Sequence, residues 1–280
     1  MNKIKTKNIL PSSIKSLNNK TNNALNWASF LKKETDVDIT SDRSFIKSYE
    51  RDWSNIPGYA DVVARPINPE ECAVLLYLFS NSNIPITISA GKTNLTGSAT
   101  PKSGLLISTE LMNSPKSKIN IESKTVQAPI GEILENVRDK VLADSNGKLY
   151  YPVDPTSRKD AQVGGTISCN ASGFIPGEKG ATRYWVESLS VLLLNGQLIK
   201  AKRGQYISKK GIFFMDNKEI VLPNYNRPKI KNASGPYTTD NKEIDFVDLI
   251  IGSEGIFGMI VECELKLDDL SQNHLDLFIP

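Results

Sequence analysis

The sequence predicts a mixed α and β fold (α+β), and three observations carry that reading. Residues 61–88 run strand, helix, strand. Residues 131–143 have the apolar spacing of an amphipathic helix. Residues 261–267 alternate apolar and polar at period two, as a half-buried strand does. At 280 residues, 39% hydrophobic and 23% charged, the chain can bury one large core or two closely joined ones.

The elements follow in chain order. Residues 1–45, rich in Asn, Lys, Ser and Thr, read as an N-terminal extension, a frayed arm with one short docked helix from Ala24 to Leu31. A strand from Asp61 ends at Pro66. Asn68 then caps a helix, Pro69 suits its first turn, and Glu71 completes a capping-box-like spacing. Val74, Leu75, Leu78 and Phe79 share one face of that helix, which Asn81-Ser82-Asn83 stops. Ile84–Ile88 and Leu105–Ser108 are β-branched or apolar strands, and the alternation from Ile119 to Ala128 is a further strand signal. The helix from Gly131 to Ala143 turns Ile133, Leu134, Val137, Val141 and Leu142 inward. Residues 150–183 are loop-rich and dense in glycine. Ser188–Leu194 and Gln197–Ala201 are strands joined at Asn195-Gly196, a type I′ hairpin signal. Residues 203–246 form a polar excursion with a short strand or two, before the last strand at Val261–Leu267.

Composition narrows the chemistry. A net charge of +3, spread along the chain, argues against an obligate nucleic-acid binder. His274 is the one histidine, so a site of several histidines on zinc is excluded. Cys72, Cys169 and Cys263 form no CxxC pair, and an odd, sparse count suits a reducing compartment. No apolar run reaches the roughly 20 residues of a membrane span, and no secretory signal opens the chain. A cytoplasmic protein is expected, with the basic N-terminus a candidate contact for the inner membrane face. The basic stretch Lys200-Ala201-Lys202-Arg203 and the pair Lys209-Lys210 read as a solvated hairpin edge rather than a face for anionic lipid or nucleic acid.

Three glycine-bearing loops stand out. Ser89-Ala90-Gly91-Lys92-Thr93-Asn94-Leu95-Thr96-Gly97 follows a strand, and small residues there let successive N–H groups converge on an anion; Thr93 and Asn94 add side-chain donors. Its spacing is neither GxGxxG nor GxxxxGK[ST], and a tight structural turn explains it as well as a phosphate cradle. The second loop holds Asp154-Pro155-Thr156-Ser157 and then Ala161-Gln162-Val163-Gly164-Gly165-Thr166-Ile167-Ser168-Cys169-Asn170-Ala171-Ser172-Gly173. Its run of small residues permits close approach to a large flat ligand. The third, Gly252-Ser253-Glu254-Gly255-Ile256-Phe257-Gly258, opens onto the last strand.

These blocks, in this order over roughly residues 49 to 267, resemble the FAD-binding domain of the FAD-linked oxidases, the p-cresol methylhydroxylase type of the vanillyl-alcohol oxidase superfamily. Within it they are most similar to the D-lactate dehydrogenase and glycolate oxidase flavoprotein branch. The resemblance implies two α/β subdomains, about 46–112 and 113–270, with non-covalently bound FAD between them. It implies that Ser89, Ala90, Gly91, Lys92, Thr93, Asn94, Leu95, Gly97 and Ser98 hold the pyrophosphate, chiefly through main-chain donors. Pro155, Thr156, Ser157, Ala161, Gly164, Gly165, Asn170, Ser172 and Gly173 would line the flavin and its ribityl chain. Glu254, Gly255, Gly258 and Ile260 would complete the nucleotide pocket.

The chain departs from the family at four points. Lys92 replaces one of several successive glycines. Arg183-Tyr184 stands for an Arg-Asp pair, so a loop-fixing carboxylate is missing. Pro129 occupies a glycine position. The cap domain that supplies substrate and catalytic residues does not follow, and residues 271–280 read as its first residues only. The resemblance therefore implies an oxidoreductase that takes hydride from a small 2-hydroxy acid such as D-lactate or glycolate, completed by a cap from a partner chain or an electron-accepting partner. The alternatives are a non-catalytic FAD-binding or assembly subunit, and a reductase of nucleotide-sugar enolpyruvyl ethers on the same fold. No catalytic residue is assigned and no metal is expected. Glu254 and Arg183 lie nearest the site, and for both a structural role is the simpler reading.

Overall fold

The structure is a computed structural model that describes residues 3–17, 21–215, 218–222 and 243–271. His274, most of the 271–280 tail and the stretch 223–242 lie outside the described residues.

The chain begins with β1 (Thr6–Asn8), α1 (Ser12–Lys15), α2 (Ala24–Glu34), β2 (Ile39–Thr40) and α3 (Arg43–Ile46). The strand–helix–strand unit follows as β3 (Val62–Ala64), α4 (Pro69–Asn81), β4 (Ile86–Ser89) and β5 (Leu105–Ser108). Next come β6 (Lys118–Asn120), β7 (Thr125–Ala128), α5 (Leu134–Asp144), β8 (Leu149–Tyr150), α6 (Val163–Ser168), α7 (Thr182–Trp185), β9 (Val186–Leu192) and β10 (Gln197–Lys202). The chain continues through β11 (Ile212–Met215), β12 (Lys218–Val221), α8 (Phe246–Ile250), β13 (Met259–Lys266) and β14 (Asp268–Asp269).

Two main sheets result. The smaller has the order β2-β3-β5-β4, in which β3, β5 and β4 are parallel and β2 is antiparallel. The larger is antiparallel with the order β1-β10-β9-β13-β7-β6, so that β13 lies between β9 and β7. Helix α4 touches both β4 and β9. Its side chains Cys72, Val74, Leu75, Leu76, Leu78 and Phe79 are all buried in the shared core. The helix starts as its sequence dictates. Asn68 Oδ1 accepts from Glu71 N at 2.8 Å, and Glu71 Oε2 reaches back to accept from Ile67 N at 2.9 Å, one residue earlier than a standard capping box.

The structure corrects three local expectations. The described part of the first 45 residues is not a frayed arm: β1 pairs with β10, β2 joins the smaller sheet, and Ile4, Leu10 and Ile14 are buried. Trp27 fixes α2 by donating Nε1–H to Ser82 Oγ at 2.9 Å. The alternation from Ile119 to Ala128 is two strands, β6 and β7, because the chain reverses at Lys124, whose φ is +51°, and Ile121 lies exposed in the turn. The β9–β10 turn is not type I′. Gly196 N donates to Leu193 O, and only Gly196, at φ +75°, is left-handed. That is a type I turn followed by a glycine bulge, in which Leu194 and Asn195 take the central places.

Candidate functional site

The three glycine loops meet in one cleft with about 1010 Å³ of empty space, part of it open to solvent. Its walls come from both sheets. The smaller sheet contributes Ile88 at the end of β4 and the loop that follows it. The larger contributes α6, Ile130 and the start of β13. Of the residues expected to hold cofactor, Ala90, Gly91, Lys92, Thr93, Asn94, Ser98, Ser157, Ala161, Gly164, Gly165, Glu254, Gly255, Gly258 and Ile260 line this cleft.

Close approach explains two of the glycines. A Cβ on Gly91 would lie 2.1 Å from Asp160 O, and one on Gly165 would lie 2.9 Å from Ala90 Cβ. The loop after β4 and the first turn of α6 are thus pressed together at a distance only glycine permits. The main-chain N–H groups of Gly91, Lys92, Thr93, Asn94 and Leu95 have no acceptor among the described residues. Four of these, Gly91–Asn94, belong to residues that line the cleft, and consecutive free donors at a wall form a cradle that an anion completes. A diphosphate ester matches that donor set, and the small-residue wall at Gly164 and Gly165 leaves room for a flat ring, so these residues fit a dinucleotide.

The side chains of this loop do other work. Asn94 was expected to donate into the site. Its Oδ1 instead accepts from the N–H groups of Thr96, Gly97 and Ser98, which closes the turn. Lys92 takes φ +56° and sends its ammonium out of the cleft. Nζ donates to Ser48 O at 2.9 Å and lies 4.7 Å from the Tyr49 ring centroid. Its main-chain carbonyl accepts from Trp53 N at 3.0 Å. Asp52 completes the brace by accepting from Ala99 N. Burial, the largest single influence, raises Asp52, but hydrogen bonds from Ser54, Asn94 and Ala99 together outweigh it and hold the carboxyl below its ordinary value.

Eight expected residues lie outside the cleft wall. Ser89 is buried in the strand end, Leu95 points to solvent, and Gly97 packs near Ile56. Pro155 is buried and accepts from Arg158 N, whereas Thr156 is exposed. Asn170, Ser172 and Gly173 fold the loop on itself. Asn170 Oδ1 accepts from Arg183 N, Ser172 bridges to Ala181, and Gly173 N donates to Gly180 O.

The missing loop-fixing carboxylate is supplied from elsewhere. Asp248 on α8 meets Arg183 Nη1 at 3.2 Å, and both side chains are 7% exposed. Arg183 also donates to the carbonyls of Asp248 and Ile251, while Arg203 approaches Asp248 from the other side at 3.0 Å. Arg183 therefore ties the 170 loop to the segment leading into Gly252–Gly258. It takes no part in the cleft wall. Glu254 does line the wall, with its N–H donating to Ser168 O. Cys169 sits beside it. Burial first, and the Glu254 charge second, push the Cys169 thiol up to about 11, so it stays protonated near neutrality.

Two residues passed over in the sequence also face the cleft, Thr109 and Gln162. Thr109 lies just past β5, outside the three loops; Gln162 lies within the second loop, where the sequence assigns it no role.

No helix among the described residues is long and apolar enough to cross a membrane. A model of the FAD binding domain family matches residues 60–202. The chain is similar to a D-2-hydroxyglutarate dehydrogenase of Xanthomonas citri, at 30% identity over 80% of this chain and 40% of that one. It is also similar to the glycolate oxidase subunit GlcD of Bacillus subtilis, at 28% identity over 74% of this chain and 37% of that one. It thus spans about 40% of the length of these relatives. In three dimensions it is similar to alkyldihydroxyacetonephosphate synthase, with a TM-score of 0.64 at 16% identity over 96% of this chain and 45% of that structure. At that identity the likeness is one of fold.

Proposed function

This chain belongs to the FAD binding domain family, and from that premise we propose that it holds FAD non-covalently in the cleft, as the flavin-carrying part of a 2-hydroxy-acid dehydrogenase or oxidase. The observation that carries the reading is the row of free N–H groups at Gly91–Asn94, in one cavity with Gly164, Gly165 and Gly255. Those donors would bind the diphosphate without a side-chain charge, because Lys92 is committed to Ser48. Ser157, Ala161, Gly164 and Gly165 would line the flavin and its ribityl chain, and Glu254, Gly255, Gly258 and Ile260 the rest of the nucleotide. Ile88, Ile130, Met259 and Ile260 supply apolar walls that exclude water. Bound there, a flavin supplies a two-electron acceptor for the hydride of a hydroxyl-bearing carbon.

The named activities of the relatives support a small 2-hydroxy acid as the donor: D-2-hydroxyglutarate, glycolate or D-lactate. The mouth of the cleft supports a covering surface from protein outside these residues, in the same polypeptide or in a partner. Leu95, Phe174 and Ile256, at 74%, 74% and 79% exposed, belong to the loops that form the site. Non-covalent binding is supported by a wall with no histidine among the described residues and a cysteine held as the neutral thiol.

The test is an absorbance spectrum of purified protein before and after FAD loading and desalting. Retained flavin bands, released by acid precipitation, are expected. A protein that stays colourless after loading overturns the reading. Bleaching of the bands by D-lactate, glycolate or D-2-hydroxyglutarate separates an active unit from a binding-only subunit, and bleaching by NADPH would favour the enolpyruvyl reductase chemistry.

A further inference from the structure

Gln162 immediately precedes α6, yet its side chain does not cap that helix. It crosses to Thr109, which follows β5 of the other sheet and donates its hydroxyl to Gln162 Oε1 at 2.6 Å. The other acceptor near that hydroxyl, Ser89 O, is farther at 3.4 Å. Both residues are buried, Thr109 3% and Gln162 6% exposed, and both line the cleft. Their main chains are fixed as well. Thr109 N donates to Ser89 O, and Gln162 O accepts from Thr166 N.

A carboxamide has one acceptor oxygen and one donor nitrogen. With Oε1 engaged by Thr109, Nε2 is turned the other way. It finds no acceptor among the described residues, although the side chain is more than nine-tenths buried. Nε2 is not sealed from solvent as Asn170 Nδ2 is; it keeps accessible surface in the cleft that Gln162 lines, where a bound acceptor would pair it. Gln162 lines the cleft together with Ala90, Gly91, Gly164 and Gly165.

We propose that Gln162 is a positioning residue whose Nε2–H donates to an acceptor on the flavin ring, and that Thr109 selects that orientation of the amide. The proposal rests on the FAD reading given above. The pyrimidine edge of the isoalloxazine is rich in carbonyl oxygens and ring nitrogens that accept, so a donor is the complementary group. A donor at that edge favours the electron-rich reduced ring over the oxidised one and raises the midpoint potential.

The experiment compares wild type with Gln162→Leu, Gln162→Glu and Thr109→Val, each loaded with FAD. Affinity, visible spectrum and midpoint potential are measured, and circular dichroism checks the fold. Wild type that fails to bind FAD sinks the flavin reading itself. With FAD bound, Gln162→Leu is expected to weaken binding about threefold to tenfold, shift the flavin bands and lower the potential. Gln162→Glu lowers the potential further, because a carboxylate replaces the donor. Thr109→Val frees the amide to rotate and shifts both readouts in the same direction by less. Weaker binding with an unmoved spectrum and potential marks a merely structural role and overturns the proposal. Should the Gln162 variants fail to fold, an unmoved spectrum and potential in Thr109→Val overturns it.

Discussion

Replacing Gly91 by alanine tests the cradle directly. The added Cβ would lie 2.1 Å from Asp160 O and 3.1 Å from Ala161 Cα, all main-chain atoms with no rotamer to yield. An ordinary contact is about 3.5 Å, so one of the two segments must move by more than ~1 Å. Overpacking of this kind costs about 1–3 kcal/mol of stability. The larger effect falls on binding. A hydrogen bond to a charged group contributes about 1.5–3 kcal/mol, and a displacement of this size takes roughly two of the N–H donors at Gly91–Asn94 out of reach. The expected loss is about 3–6 kcal/mol, or ~10²- to 10⁴-fold in Kd for FAD. Fluorescence-quenching titration reads the affinity, and thermal unfolding reads the stability. Gly147→Ala is the control: φ there is +71° and nothing lies within 4 Å of an added Cβ. It should cost about 1 kcal/mol of stability and leave Kd unchanged. Gly91→Ala binding FAD within threefold of wild type would refute the cradle.

Two further predictions follow from the surroundings of the cleft. Arg183→Met leaves the Asp248 carboxylate buried with one partner fewer and should cost about 3–5 kcal/mol in urea unfolding; a loss below ~1 kcal/mol would show that Arg203 alone satisfies Asp248. Native-state alkylation of Cys169 should keep rising with pH towards about 11 instead of levelling near 9, and FAD should protect the thiol. The folded state keeps that proton where the unfolded chain releases it, so stability is present below about pH 9 and is lost as pH climbs to about 11.

Much of this was legible in the residues. Asn68, Pro69 and Glu71 announce α4, since capping is local chemistry, and strands β3, β4 and β5 show as short apolar runs. The convergence of the three glycine loops was legible through their order, which resembles that of the FAD-linked oxidases; taken singly, the first reads equally well as a tight turn. What the sequence hid was long-range. That β1 joins β10 depends on residues nearly 200 positions away, and a polar lysine-bearing segment gives no apolar signal for it. Asp248 as the partner of Arg183 was equally invisible, since a carboxylate looked for at position 184 is supplied 64 positions later. Gln162 escaped notice because its importance lies in one hydrogen bond to Thr109, which no spacing encodes.

The place of β13 has a consequence for biosynthesis. Translation proceeds from the N-terminus, and the strand that bonds to both β9 and β7 emerges after every other strand of its sheet. Until residue 266 has left the ribosome, β9 and β7 each present an open edge, and open edges invite pairing with other nascent chains. A fragment limited to residues 60–202 would keep both edges permanently bare. Pulse-labelled chains stalled before 259 should accordingly be protease-sensitive and captured by chaperones, and chains stalled far enough beyond 266 to clear the exit tunnel should resist digestion.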